Sequence, residues 1–302
     1  IIRPKYNKYD VVIVGGAIMG SSAAYFLSQN SDFQGKILVI EKDLSFEYSS
    51  TARTNSCIRQ QFSEPINVQI SQFAAAFITS LNENRSEPHF QTKINIDNFG
   101  YLYLANSEAT AKLLNINQEM QVSLGAGTYI LTPSRASKAF PYMKFSDVKL
   151  CSHNVKDEGY FDGQLLFEFF RKTAKGSGVE YIQDEVVDLK SMGNKVQKVL
   201  LKSGVNIDCG ALVNCAGPSA NKISKMINSH LPVEPRKRYS FIFQAEKGFN
   251  FKVPLTIDPS GIHFRSDGQR FLAGCAPSND FVVSEDDFSM EQNEPYEIIA
   301  EN

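Results

Sequence analysis

The stretch Gly15, Gly16, Ala17, Ile18, Met19, Gly20, together with Glu41 some twenty residues on, is where residue type and spacing alone point to chemistry. A glycine turn that runs straight into a helix leaves main-chain N–H groups unpaired and adds the positive end of the helix dipole, a combination suited to a diphosphate. Gly15 permits the sharp turn off a strand, and Gly20 lets helix and strand approach. An acid closing the second strand can accept hydrogen bonds from both hydroxyls of an adenosine ribose and repels a 2′-phosphate, so Glu41 favours FAD or NAD over NADP. The middle glycine of G-x-G-x-x-G is replaced by Ala17, whose methyl crowds the point of closest approach to the diphosphate.

These residues need a particular set of elements behind them. Residues 11–14 form an unbroken β-branched run, which predicts a strand buried on both faces. Small residues from Ser21 followed by larger apolar ones to Leu27 predict a helix packed closely on it, and residues 37–40 predict a second strand ending on Glu41. Residues 211–214 read as another buried strand, and its turn, Cys215-Ala216-Gly217-Pro218, should face the same ligand as Gly15.

Elsewhere, residues 42–57 make a loop rich in Ser, Thr and Asn. A helix should follow, with Ser63 as N-cap, Pro65 in the first turn, and Ile66, Ile70, Phe73, Phe77 and Leu81 on one apolar face. Next come an aromatic strand at 99–104 and helices at 107–124, 134–140 and 163–175, the last opened by DEGYFD. A strand at 179–182, a small antiparallel meander (185–189, 196–201 and the Gly204 turn) and strands at 239–244, 257–265 and 269–274 complete the pattern. The acidic tail, 280–302, lacks apolar periodicity and reads as flexible or unfinished.

Bulk properties narrow the class. With 302 residues and 42% hydrophobic content, the chain can bury the core of two domains or one large one. Its 31 basic and 33 acidic residues nearly cancel and are scattered, which argues against nucleic acid. No window approaches the ~18 apolar residues of a transmembrane segment, leaving only peripheral membrane contact. The five cysteines are odd in number and widely spaced, and the four histidines are dispersed, so reduced thiols are expected and zinc or iron–sulfur sites are not. The chain opens at Ile1 without a signal-peptide pattern, which leaves an upstream targeting segment open.

The ordered set GGAIMGSS, LVIEKD, SSTARTNSCIRQQF, NFGYL, DEGYFD, NCAGPSA, LPVEPRKRY and DPSGIHFRSDG, spread over residues 10–274, resembles the FAD-dependent D-amino-acid oxidase superfamily in its glycine oxidase and sarcosine oxidase branch. The resemblance implies an α/β fold: a Rossmann-like FAD-binding domain interleaved with an α+β substrate domain that carries a mixed or antiparallel sheet. Residues 1–86 and 151–228 would build the first, and 87–150 and 229–302 the second. It implies FAD as cofactor, with Gly15, Gly16, Ala17, Ile18, Met19 and Gly20 at the diphosphate and Glu41 and Lys42 at the adenosine end. Ser50 and Thr51 would lie in the flavin-proximal loop, Val186 at the adenine, and Cys215, Ala216 and Gly217 along the inner face. The glycine-rich segment with which the family closes its flavin domain has no match in the acidic tail, so the C-terminal part is expected to be missing.

The reaction implied is oxidation of the carbon–nitrogen bond of a small amine or amino acid (glycine, sarcosine or D-amino acid type), with hydride passing to flavin N5. Such chemistry asks the protein chiefly to orient the amine and its carboxylate, and arginine is the side chain that grips a carboxylate with two prongs. Arg59 in CIRQQF matches a substrate-carboxylate arginine of the sarcosine oxidase branch. His263 and Arg265 alternate along GIHFR and should share one side of a strand, His263 as a proton acceptor or a hydrogen-bonded sheet residue. At most one of Arg236 and Arg238 should point inward, and Tyr101 and Tyr103 read as packing residues. Oxygen, a carrier flavoprotein or a quinone would take the electrons. The location would be the cytoplasm of a bacterium or the mitochondrial matrix of a eukaryote. The alternative is a flavin-bearing assembly factor or scaffold of a respiratory complex; an NAD-dependent dehydrogenase accounts for the opening unit but not for the later segments.

Overall fold

A computed structural model describes residues 3–83, 93–246, 250–290 and 293–301. The chain begins with β1 (Lys8–Val14), α1 (Ile18–Gln29) and β2 (Ile37–Glu41), in the predicted order. The long polar loop leads to a two-residue strand, β3 (Cys57–Ile58), and helix α2 (Pro65–Glu83). Then follow β4 (Tyr101–Ala105), α3 (Glu108–Ser123), β5 (Tyr129–Leu131), α4 (Pro133–Ala139), β6 (Leu150–Asn154), β7 (Gly159–Tyr160) and α5 (Gly163–Gly176). Strands β8 (Glu180–Gln183), β9 (Val186–Met192), β10 (Lys195–Leu201) and β11 (Asn206–Asn214) precede the short helix α6 (Ala220–Lys225). The remainder holds β12 (Tyr239–Phe243), β13 (Leu255–Ile257), β14 (His263–Asp267), β15 (Arg270–Cys275) and α7 (Asn293–Glu301).

Six strands make one sheet in the order β8-β2-β1-β11-β10-β9, parallel from β8 to β11 and antiparallel thereafter. The β-branched run does what its composition predicts. Val11 and Ile13 pack with Ala24 of α1 and Ala174 of α5, while Val12 and Val14 pack with Leu38, Val199 and Ile223 on the opposite face. Successive side chains thus feed two separate cores, which only a strand covered on both sides can do. Helix α5 starts where Asp162 accepts the Leu165 N–H at 2.9 Å, and it buries Phe167, Phe169 and Phe170.

The second sheet has seven strands, β12-β15-β14-β13-β4-β6-β5, parallel only at β13–β4. β6 belongs to it, so the chain returns to the six-stranded sheet after residue 154 rather than at 150. The proposed boundary at 86/87 lies outside the described residues. A two-stranded ribbon, β3 with β7, lies apart from both sheets in pairing, and Arg59 follows directly from it.

Several expectations are corrected. The face of α2 is rotated: Val68, Ser71, Ala75 and Ile78 are buried, whereas Ile66, Ile70 and Phe73 are about 60% exposed. Glu64, not Ser63, precedes the first turn, its carbonyl accepting from the N–H groups of Asn67 and Val68. The strand expected over 257–265 is two strands, β13 and β14, because Asp258 and Gly261 (φ +89°) close a turn between them. The tail is not featureless, since it forms α7, whose Tyr296 meets Phe241 edge-on at 5.9 Å.

Candidate active site

The carboxyl-terminal edge of the parallel strands gathers most of the residues expected at a cofactor. Gly15 leaves β1 with φ +93°, and a Cβ there would stand 2.3 Å from the carbonyl oxygen of Cys215. A Cβ on Gly20 would fall 1.8 Å from the Gly15 oxygen. Both glycines are therefore demanded by close backbone approach. Main-chain hydrogen bonds lock the three turns together: Gly15 N–H donates to Ile40 O at 2.9 Å and Cys215 N–H to Val14 O at 2.8 Å.

Glu41 turns its carboxylate across this edge. Oε2 accepts the Gly16 N–H at 2.7 Å and Oε1 the Asp43 N–H at 3.0 Å. Ala17 is the N-cap of α1 and offers no side-chain acceptor, so the first helical N–H, that of Ile18, donates instead to Thr51 Oγ1 at 3.2 Å. The Ser/Thr/Asn-rich loop is thereby folded back onto the helix amino end, with Thr51 buried and Ser50 beside it exposed. Val186 opens β9 and packs with Val14, Ile40 and Ala216 in one apolar cluster. Met19 and Lys42 are exposed, and Gly217 (φ +56°) begins the turn into α6. A cradle that any Cβ would fill, a helix amino end and a carboxylate beside it fit an adenine dinucleotide.

A second cluster surrounds Arg59. Its guanidinium carbon lies 4.6 Å from the Phe62 ring centre and 5.9 and 5.8 Å from those of Tyr101 and Tyr103. Nε is buried without a hydrogen-bond partner, and no carboxylate pairs with the side chain among the described residues. A cavity of about 320 Å³ opens here, lined by Arg59, Cys57, Phe62, Ile70 and Tyr101 among others. The two tyrosines lie nearly parallel, 6.5 Å apart, and burial raises the pKa of each, so both stay neutral.

His263 and Arg265 share one side of β14 and meet at Asn55. His263 Nε2 lies 3.1 Å from Asn55 Nδ2, which as the donor fixes the proton of a neutral ring on Nδ1. Burial first, and the Arg265 charge second, lower the His263 pKa. Arg265, 4% exposed, is engaged internally: Nη1 donates to Ser266 O at 2.9 Å and pairs with Asp267 at 3.1 Å. Cys57, between these groups, donates to Asn55 O at 3.3 Å, and burial pushes its thiol up to about 11. Neither Arg236 nor Arg238 points inward; both are held by Asp280 at the surface, Arg236 with Glu234 as well.

One residue escaped the sequence reading. Glu158, 0% exposed, accepts the N–H groups of Gln60 at 2.6 Å and Gln61 at 3.1 Å on Oε1, and Gln61 Nε2 at 3.0 Å on Oε2. It fixes the two residues after Arg59, while Ser71 Oγ donates to the Arg59 carbonyl. Burial raises its pKa to about 7, against the opposing pull of these donors. The signal was an acid beside a glycine in DEGYFD: a Cβ on Gly159 would lie 1.9 Å from Asp97 O, so that turn is built to bring the acid inward.

Known proteins share this architecture. L-proline dehydrogenase from P. horikoshii superposes with a TM-score of 0.79 over 98% of this chain and 76% of its own, at 24% identity. Glycine oxidase from Bacillus cereus gives 0.72 over 97% and 76%, at 20% identity. At these identities the likeness carries the fold alone, and it agrees with the D-amino-acid-oxidase-type α/β architecture expected above. FAD-dependent oxidoreductase domain-containing protein 1 of Bos taurus is 32% identical over 91% of this chain, which spans 63% of that protein's length. The family model described as FAD dependent oxidoreductase matches residues 10–299. With that match running through both sheets and through the glycine turn, the chain belongs to the FAD dependent oxidoreductase family, whose cofactor is FAD.

Proposed function

We propose that this chain is an FAD-dependent amine or amino-acid oxidase or dehydrogenase, acting on a small substrate that carries a carboxylate, of the glycine, sarcosine or D-amino acid type. The observation that carries the reading is Arg59, an arginine with a buried, unpartnered Nε and no acidic partner among the described residues, facing a cavity walled by aromatic rings. A guanidinium kept partly from water and without a carboxylate partner among the described residues is disposed to take a carboxylate in a charge-assisted, two-pronged hydrogen bond. Glu158 would act as a positioning residue by holding the backbone after Arg59. Phe62, Tyr101 and Tyr103 would exclude water around the substrate, and His263, neutral and held by Asn55, could take a proton from the amine only once Asn55 Nδ2 releases its Nε2.

On this reading the turn from Gly15 to Gly20, with Ser50 and Thr51, would hold the diphosphate. Glu41 would exchange the Gly16 N–H for ribose hydroxyls, with Lys42 beside it. Val186 would meet adenine, and Cys215, Ala216 and Gly217 would line the inner face. FAD, when bound, supplies the acceptor for the hydride leaving the carbon that bears the amine, and oxygen, a carrier flavoprotein or a quinone would take the electrons onward.

The test is the visible spectrum of the flavin-loaded protein, without oxygen, as candidate amines are added. Bleaching of bound flavin by a carboxylate-bearing amine is expected, and it should be lost or need far more substrate in R59A. A flavin that no such amine bleaches refutes the reading. A second reading, a flavin-bearing assembly or scaffold protein of a respiratory complex, is favoured by the exposed apolar ridge of Ile66, Ile70 and Phe73 on α2, continued by Phe26 of α1 at 6.2 Å from Phe73. Defined respiratory-complex subunits that co-purify with the wild type but not with I70D/F73D would support it.

A further inference from the structure

Residues 280–289 carry four acids, and each finds a cation on a distant part of the chain. Asp280 takes Arg238 at 2.8 Å, Glu285 takes Lys222 at 3.2 Å, Asp286 takes Lys42 at 3.0 Å and Asp287 takes Lys237 at 2.8 Å. Phe288 packs on Tyr48, with ring centres 4.6 Å apart, and the Arg53 guanidinium lies 5.8 Å from the Phe288 ring.

The placement of these partners is what matters. In the six-stranded sheet β1 lies between β2 and β11. Lys42 is the first residue after β2, and Lys222 belongs to α6, which follows β11. Two adjacent acids, Glu285 and Asp286, therefore grip lysines that follow the two strands flanking β1, one directly after β2 and one in the helix after β11. Phe288 carries the segment on to Tyr48 and Arg53, in the loop that also holds Ser50 and Thr51. A stretch with no regular structure is thus tied to three of the segments at the dinucleotide edge. Downstream it is anchored by α7, where Glu294 accepts the Ser278 N–H at 3.2 Å.

We infer that residues 280–289 form a retaining strap across the mouth of the FAD groove, held shut by ion pairs and obliged to come away before the cofactor can enter or leave. The inference rests on the FAD reading above. The pairs are at least partly open to solvent, the most covered partners being Lys237 at 17% and Glu285 at 24% exposure, so each is weak and screened by salt. Such a fastening opens readily yet, summed over four pairs and one aromatic contact, slows exchange.

The experiment measures the rate of FAD release from the reconstituted protein, as flavin fluorescence recovered on rapid dilution. In E285K/D286K release should be roughly three- to tenfold faster, the loss of two exposed pairs. Raising salt from ~0.05 to ~0.5 M should speed release from the wild type and do so less in the variant, which keeps the Asp280 and Asp287 pairs. Adding K222E to E285K restores one pair with its charges exchanged and should slow release again, and F288A, which leaves every charge in place, should also accelerate it. Unchanged or slower release in E285K/D286K and F288A, with flavin bound and near-UV circular dichroism as in the wild type, overturns the strap. A wild-type protein that takes up no FAD overturns the cofactor reading itself, and the strap with it.

Discussion

Replacing Glu158 tests whether the loop after Arg59 is held by a single buried acid. In E158A the main-chain N–H groups of Gln60 and Gln61 lose their acceptor inside the protein, and at about 1–3 kcal/mol for each such donor the cost is about 2–6 kcal/mol. E158Q is gentler, because its oxygen can serve both N–H groups while its amide nitrogen is forced against Gln61 Nε2, donor against donor. The pH dependence is the sharper readout. A carboxyl moved from 4.5 to about 7 by folding is protonated more readily in the native state, by an amount equivalent to about 3 kcal/mol. That stabilisation is complete below pH 4.5 and lost as pH rises to about 7. Urea unfolding of wild type and E158Q across this window should show the stability gap between them shrinking by up to about 3 kcal/mol as pH rises. Parallel curves would refute the reasoning, as would an E158A protein as stable as the wild type.

His153 titrates in the same window with the opposite sign. Burial lowers its pKa to about 4, Nε2 has no hydrogen-bond partner among the described residues, and Nδ1 meets the Tyr129 hydroxyl at 2.6 Å; its stabilisation is complete above pH 6.5 and is lost as pH falls to about 4. H153N should flatten this acid-side decline, by up to about 3 kcal/mol between the two pH values, as read from unfolding at pH 4 and pH 7. At the dinucleotide edge, G20A brings a methyl against the Gly15 carbonyl oxygen, so the turn must shift. The expected outcome is a protein that purifies without flavin colour and is less stable by about 1–3 kcal/mol; full flavin occupancy would contradict the cradle described here.

How much of this was legible varies with the range of the interactions. The unit from β1 to Glu41 was readable because its signals are local: a β-branched run, a glycine turn and an acid at a strand end. The turn at Cys215 was readable for the same reason. The buried face of α2 was not. Its sequence offers two apolar stripes, Ile66-Ile70-Phe73 and Val68-Ala75-Ile78, and periodicity cannot rank them when the elements packed alongside decide. The 257–265 segment misled because its alternation continues through a turn that Asp258 and Gly261 enforce. Glu158 and the acids of the strap were opaque for another reason: the partners of Glu158 lie 97 and 98 residues away in sequence, and those of the strap between 42 and 244.

The pairing of β1 with β11 has a consequence for how the protein is made. Strand β1 and its glycine turn emerge from the ribosome with β2 close behind, yet the strand on the other side of β1 is completed only at Asn214. Until then one edge of β1 stays unpaired, and the nascent chain carries half a nucleotide cradle until β11 arrives. Closing so long a loop is slow, and an open strand edge invites association with other chains. Synthesis halted before β11 would therefore leave a sticky fragment with no capacity to hold flavin.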